Sequence, residues 1–247
     1  MTEFIKTHTG EMAALGTAIC FTINAIAFEA AGKKIGSLSV SYIRLFIAFI
    51  LLSINTYITR GLIFPTDATA NAWIWLLISG LFGFVLGDLF LFEAYVEIGS
   101  RISLLIMSAS PPLTALAGFL LMNERLSLLA LAGMGLNMLG ISLVILSRGA
   151  DEKKVRFNRP VKGIIFACLG AIGQAAGLIF SKIGMGTYNA LAATQIRIIA
   201  ATIAYTIIIT YWGKWQEIKD AFKNKKAMWE LFVGSVTGPY VGVVLSL

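Results

Sequence analysis

Asp88 offers the most chemistry of any residue in the chain because of where it falls. From Trp73 to Tyr95 every residue is apolar, small or aromatic except Ser79, Asp88 and Glu93. About 20 such residues at 1.5 Å each cross the hydrocarbon of a bilayer, and Asp88 then sits about 6 Å from its centre. A two-carbon acid is too short to reach the headgroups from there, so it marks a functional site that faces a bundle interior or a wet cavity. Phe92 and Tyr95 follow at i+4 and i+7 on the same stripe, where all three can line one cavity. Such a carboxylate can take up a proton when the cavity dries and release it when water returns. The alternative is a structural acid paired with an arginine or capped by helix hydroxyls.

Other polar residues fall within apolar runs. Arg44 and Arg197 each lie a few residues inside a helix start, where a guanidinium can reach a headgroup, a buried carboxylate or an anionic substrate group; they are read as gating or structural. Asn24 and Gln174 are amides that can hydrogen-bond a solute or bridge helices. Pro111 and Pro112 remove two backbone donors and free the carbonyls of Met107 and Ser108. Those oxygens need hydroxyls, neighbours or cavity water, so the break is expected to point inward and Ser108, Pro111 and Pro112 join the candidate pathway. Glu124, beside Arg125 on a tight turn, reads as half of a helix-end charge pair. Gly133, Gly135 and Gly140 with Ala132 form a small-residue surface suited to packing within the chain or in a homodimer.

The elements that must position these groups are membrane spans. Hydrophobic residues make up 57% of the chain and charged residues 13%, against about 25% charged in soluble domains. The chain is therefore read as an all-α polytopic membrane protein with the lipid bilayer as its solvent, located in the cell membrane. Apolar runs give eight candidate spans, at 12–31, 39–59, 72–95, 102–121, 127–147, 162–181, 190–212 and 228–247. The basic stretch from Arg148 to Val161 reads as a hinge between halves at 1–150 and 151–247. In the segment from Gly213 to Ala227, Trp215, Ile218 and Phe222 share one helical face, which predicts a short interfacial helix.

The chain also repeats itself. Ala18 to Gly36 matches Phe166 to Gly184, Arg44 to Ala48 matches Arg197 to Ala201, and Gly83 and Gly87 recur as Gly238 and Gly242. A duplicated unit of about five spans has an odd number of crossings, so the halves must be inverted, with substrate bound near the midplane between them. In this alignment Val243 takes the place of Asp88 and Leu247 that of Phe92. The second repeat is then incomplete, lacking a counterpart to the stretch from Glu93 to Arg148. Basic residues cluster in the loops at 148–161 and 213–227, which predicts those loops inside and the N-terminus outside.

Arg44 and Arg197, the helix Gly83-x3-Gly87-Asp88 to Tyr95, and the run from Ser108-Ala-Ser-Pro-Pro through Asn123-Glu124-Arg125-Leu126-Ser127 resemble the EamA-type drug/metabolite transporters. The resemblance implies ten helices in two inverted five-helix repeats around a central cavity, with export or exchange of small metabolites. It also implies a cytoplasmic N-terminus, against the charge bias.

Other classes find less support. The single histidine, His8, precedes the first span, and no Cys/His/Asp cluster has metal spacing, so neither an enzyme nor a metal or other cofactor is expected. No glycine loop is built to cradle phosphate, and the basic residues are topology signals rather than a nucleic-acid surface. Cys20 and Cys168 fall within apolar spans as small packing residues. Secondary transport of a small molecule leads, with a membrane scaffold or partner subunit as the alternative.

Overall fold

A computed structural model describes residues 9–122, 125–146 and 161–238. The described residues fold into helices α1 (Thr9–Ile35), α2 (Ser37–Arg60), α3 (Ala70–Ile98), α4 (Ser100–Met122), α5 (Leu128–Leu146), α6 (Val161–Met185), α7 (Ala190–Trp212), α8 (Trp215–Lys223) and α9 (Lys225–Ser235). Of these, α1 to α4, α6 and α7 are long and apolar enough to cross a membrane, while the apolar stretch Leu128–Gly140 of α5 is shorter. Outward positions such as Leu120, Leu129, Leu136, Ile58 and Ile207 are large, apolar and exposed, as lipid requires.

Two of the one-residue connections are glycines. Gly36 alone joins α1 to α2, and Gly99 alone joins α3 to α4, with φ of 81° and 82°. A side chain is strained there, so glycine lets the chain reverse in one residue. Glu29 of α1 then reaches across to accept the Ser100 N–H at 2.6 Å, supplying an anion to the start of α4.

Small residues bring α3 and α6 into backbone contact. A Cβ on Gly177 would lie 2.6 Å from the Cα of Gly83, and one on Gly173 would lie 2.8 Å from the Cα of Gly87. Ser79 Oγ uses this closeness to donate to the Gly177 carbonyl at 2.6 Å. Within the contact, Leu81–Gly87 of α3 widens into a π-helical turn, and the Asp88 N–H bonds back to the Gly83 carbonyl. α9 also passes into a π-wound stretch at 236–238, the position that the sequence repeat pairs with the start of the turn in α3.

The α1–α9 contact is of the same kind. Gly234 takes the ring of Phe28 and Gly238 the amide of Asn24, and a Cβ at either would collide. Between α2 and α7, Leu45, Leu52, Tyr205 and Ile209 are fully buried in one cluster.

α8 forms where the interfacial helix was expected. Ile218 is buried and Trp215 packs edge-on against Tyr42 at 5.9 Å, but Phe222, at the last turn of the helix, is exposed. The face touching protein is therefore carried by Trp215, Ile218 and Ala221. The loop at 148–160 and the second half of the 228–247 span lie outside the described residues.

The α5 glycines contact nothing: a Cβ at Gly133, Gly135 or Gly140 meets no described atom within 4 Å. Gly177→Ala should thus cost about 1–3 kcal/mol, since backbone blocks the new methyl. Gly135→Ala should be neutral or slightly stabilising, because alanine favours helix. Unfolding midpoints in detergent test the pair, and a Gly177→Ala protein as stable as wild type would mean that α3 and α6 separate freely.

Candidate functional site

Asp88, the first residue after the π-turn of α3, is 4% exposed. Its Oδ2 accepts from Arg44 Nη2 of α2, forming an ion pair, and its Oδ1 accepts from Gln174 Nε2 of α6 at 2.9 Å. Arg197 of α7 approaches the same carboxylate at Coulombic range. Arg44 and Arg197 are only 6% and 7% exposed. Four helices thus bring two guanidinium groups, one carboxylate and one amide to a single point inside the bundle.

Aromatic faces enclose these charges. The Arg44 guanidinium carbon lies 4.9 Å from the Phe92 ring centroid and 5.9 Å from that of Phe28. Phe84 stands between the arginines, 4.4 Å from Arg197 and 5.8 Å from Arg44. Phe28 meets Phe92 edge-on at 5.3 Å, and Tyr95 packs on Phe92 at 5.7 Å. Cation–π attraction is strongest where water is excluded, so these rings help hold guanidinium groups in an apolar setting. The Tyr205 hydroxyl lies 3.3 Å from the carbonyls of both Phe84 and Val85, tying α7 to the π-turn.

The candidates from the sequence divide accordingly. Asp88, Phe92, Tyr95, Gln174, Arg44 and Arg197 converge. Asn24 sits against Gly238 in the α1–α9 contact. Ser108, Pro111 and Pro112 lie at the break in α4, between Met107 and Ser110. The Ser108 carbonyl accepts from Asn137 Nδ2 of α5 at 2.8 Å and Pro111 is exposed. The Asn137 amide supplies a donor that proline removes, so that carbonyl needs no cavity water. Glu124 lies outside the described residues.

Phe28, Phe84 and Tyr205 were not singled out in the sequence. Aromatic residues are common in spans, and only the π-turn aims Phe84 between the arginines. Phe84 does, however, sit four residues before Asp88, a spacing that could have flagged it.

Polar ties also close the two ends of the bundle. On one face Asp67, in the α2–α3 loop, accepts from Tyr188 of the α6–α7 loop at 2.8 Å and is ion-paired to Arg60. On the other, Lys34 of α1 pairs with Glu230 of α9, Lys162 with Glu97 at 2.8 Å, and Ser37 Oγ donates to Glu93.

This is a polytopic α-helical membrane protein with a charged cluster buried in its bundle. The family model of the EamA-like transporter family matches residues 8–146, more than half of the chain, and the protein belongs to that family. No curated protein matches it.

Replacing Arg44 with Met leaves Asp88 in hydrogen-bond contact with a neutral amide only. Breaking a buried pair from one side costs about 3–5 kcal/mol, so the Arg44→Met midpoint should fall well below wild type; an unchanged value would show the pair to be dispensable. The surface tie has its own pH signature. The Tyr188 hydrogen bond, then a hydrogen bond from Asp67's own backbone N–H and the Arg60 charge, hold the Asp67 carboxyl below its ordinary range. A depressed acid contributes stability above its unfolded value of about 3.9 and loses it as pH falls through the folded value. Tyr188→Phe should therefore flatten the decline in midpoint below about pH 4, and identical acid limbs in both proteins would rule the tie out.

Proposed function

We propose that this protein is a secondary transporter in the cell membrane that exports or exchanges small metabolites. The solute passes through the interface between halves at 1–150 and 151–247, which repeat one another in inverted orientation. The charged cluster carries this reading: α2 and α3 from the first half and α6 and α7 from the second each send a charged or polar side chain to one point in the interior. Groups at that depth are expensive to keep, and the junction of inverted repeats is where transporters bind their solutes. A scaffold needs no such interior.

Two crossed contacts support the pairing of halves. The first helix of each half packs on glycines of the other half's third helix: α6 on Gly83 and Gly87, and α1 on Gly234 and Gly238. The tie from Arg60 and Asp67 to Tyr188, and that of Lys34 to Glu230, each link the halves at one face. We assign them to gating, since a solute entering from either side requires the tie on that side to part. Proton carriage by Asp88 would require it to leave Arg44 during the cycle.

Reconstitution tests the reading. In proteoliposomes the wild type should speed the flux of one or more metabolites from a radiolabelled panel above that of protein-free vesicles. Gln174→Leu keeps the ion pair and removes the amide, and it should slow that flux about tenfold, the equivalent of about 1.4 kcal/mol. Folded wild-type protein that moves nothing in the panel would favour a scaffold or partner subunit.

A further inference from the structure

Arg197 is the group that the cluster leaves unanswered. Asp88 gives its oxygens to Arg44 and Gln174; Nε is without a hydrogen-bond partner in both arginines, but Arg44 donates to Asp88 through Nη2 whereas Arg197 makes no side-chain hydrogen bond among the described residues. Asp88 is its one acidic neighbour among the described residues, at Coulombic range. The other acids on neighbouring helices are engaged elsewhere: Glu29 with Lys33 and the Ser100 N–H, Glu93 with Ser37, and Glu97 with Lys162. Arg197 keeps its charge at any physiological pH, so the cluster holds two cations to one anion. The repeat offers no second acid, because Val243 stands where Asp88 stands in the first half. A buried charge without a hydrogen-bonded counterpart is destabilising and is kept for a reason outside stability.

We infer that Arg197 binds the anionic group of the solute, and that the solute belongs to the class of small organic monocarboxylates. The inference rests on the transport reading and gives it a substrate class. One negative charge makes the cluster neutral. A planar carboxylate matches the guanidinium fork, which can hold it through two parallel hydrogen bonds. Phe84 covers one face of the guanidinium at 4.4 Å and α3 lies beside Nη2 at Gly83, so a ligand would approach from the side that neither occupies. A phosphate monoester carries close to two charges near neutral pH and would reverse the imbalance. A neutral or cationic solute would leave Arg197 as it stands.

The test is a binding measurement on the full chain in detergent micelles at pH 7, with sodium benzoate as probe and benzamide and benzylammonium chloride as controls at matched ionic strength. Benzoate should raise the unfolding midpoint saturably and the two controls should not. Arg197→Met should abolish the benzoate shift and raise the midpoint of the ligand-free protein, because it removes an unanswered charge. Arg197→Lys keeps the charge without the fork and should weaken benzoate about tenfold. A ligand-free Arg197→Met midpoint below wild type would identify Arg197 as a structural partner of Asp88 and overturn the inference. So would equal stabilisation by benzamide, a benzoate shift that survives Arg197→Met, or an equal shift from sodium chloride alone. The two readings fail separately. Flux of a neutral solute by a protein that ignores benzoate ends the carboxylate inference alone, whereas benzoate binding through Arg197 without flux of any solute ends the transport reading alone.

Discussion

A carboxylate at the depth of Asp88 has no bulk water to solvate it, so its charge is tolerable only where donors reach both oxygens. Arg44 and Gln174 meet that demand from different helices, and α2, α3 and α6 are thereby fixed to one another at mid-height. Meeting it creates a second demand, because the guanidinium must itself be held in an apolar interior. The faces of Phe28, Phe84 and Phe92 answer this, and their positions constrain α1 and α3 in turn. Polar pairing and aromatic packing are therefore one device, since neither the carboxylate nor the guanidinium could stay charged here without both.

The geometry that makes the pairing possible is set by glycine. Gln174 reaches Asp88 because α6 lies against α3 at backbone distance, with Gly173 and Gly177 facing Gly87 and Gly83. The π-turn of Leu81–Gly87 is part of the same contact: one extra residue in the turn changes which face of the helix follows it, and Asp88 is the residue that follows. Tyr205 then holds the widened turn through the carbonyls of Phe84 and Val85. An apolar contact between helices thus decides where a charge points.

Much of this was legible in the sequence because lipid imposes simple rules. Span positions follow from apolar length, and Asp88, Arg44, Arg197 and Gln174 stand out because polar residues are rare in such runs. What could not be seen was winding and partner choice. Glycines at 83 and 87 permit a π-turn without dictating one, so Phe84 looked like any lipid-facing aromatic. The break at Pro111 and Pro112 is legible as a loss of donors, but the group that answers it at Ser108, Asn137, lies on another helix and at no fixed spacing from it. Sequence periodicity reports which face of a helix is polar; it does not report which neighbour turns towards that face.

The charge pattern gives the two halves different energetic roles on our reading of them as inverted repeats. The crossed contacts, α6 on α3 and α1 on α9, use the same materials: glycines four apart on one helix and an amide on the other. The arginines are likewise duplicated, but the acid is not. A fully symmetric site would carry two ion pairs, each satisfied within the protein, and would have little to gain from a ligand. With one carboxylate missing, the frame is retained and one of its positions is left short of charge. On the inference drawn for Arg197, affinity at that point would come from an omission in the second half rather than from an added group. On the same inference the omission would keep the ligand-free cluster less stable than the filled one, a difference that a bound solute could use to shift the protein between conformations.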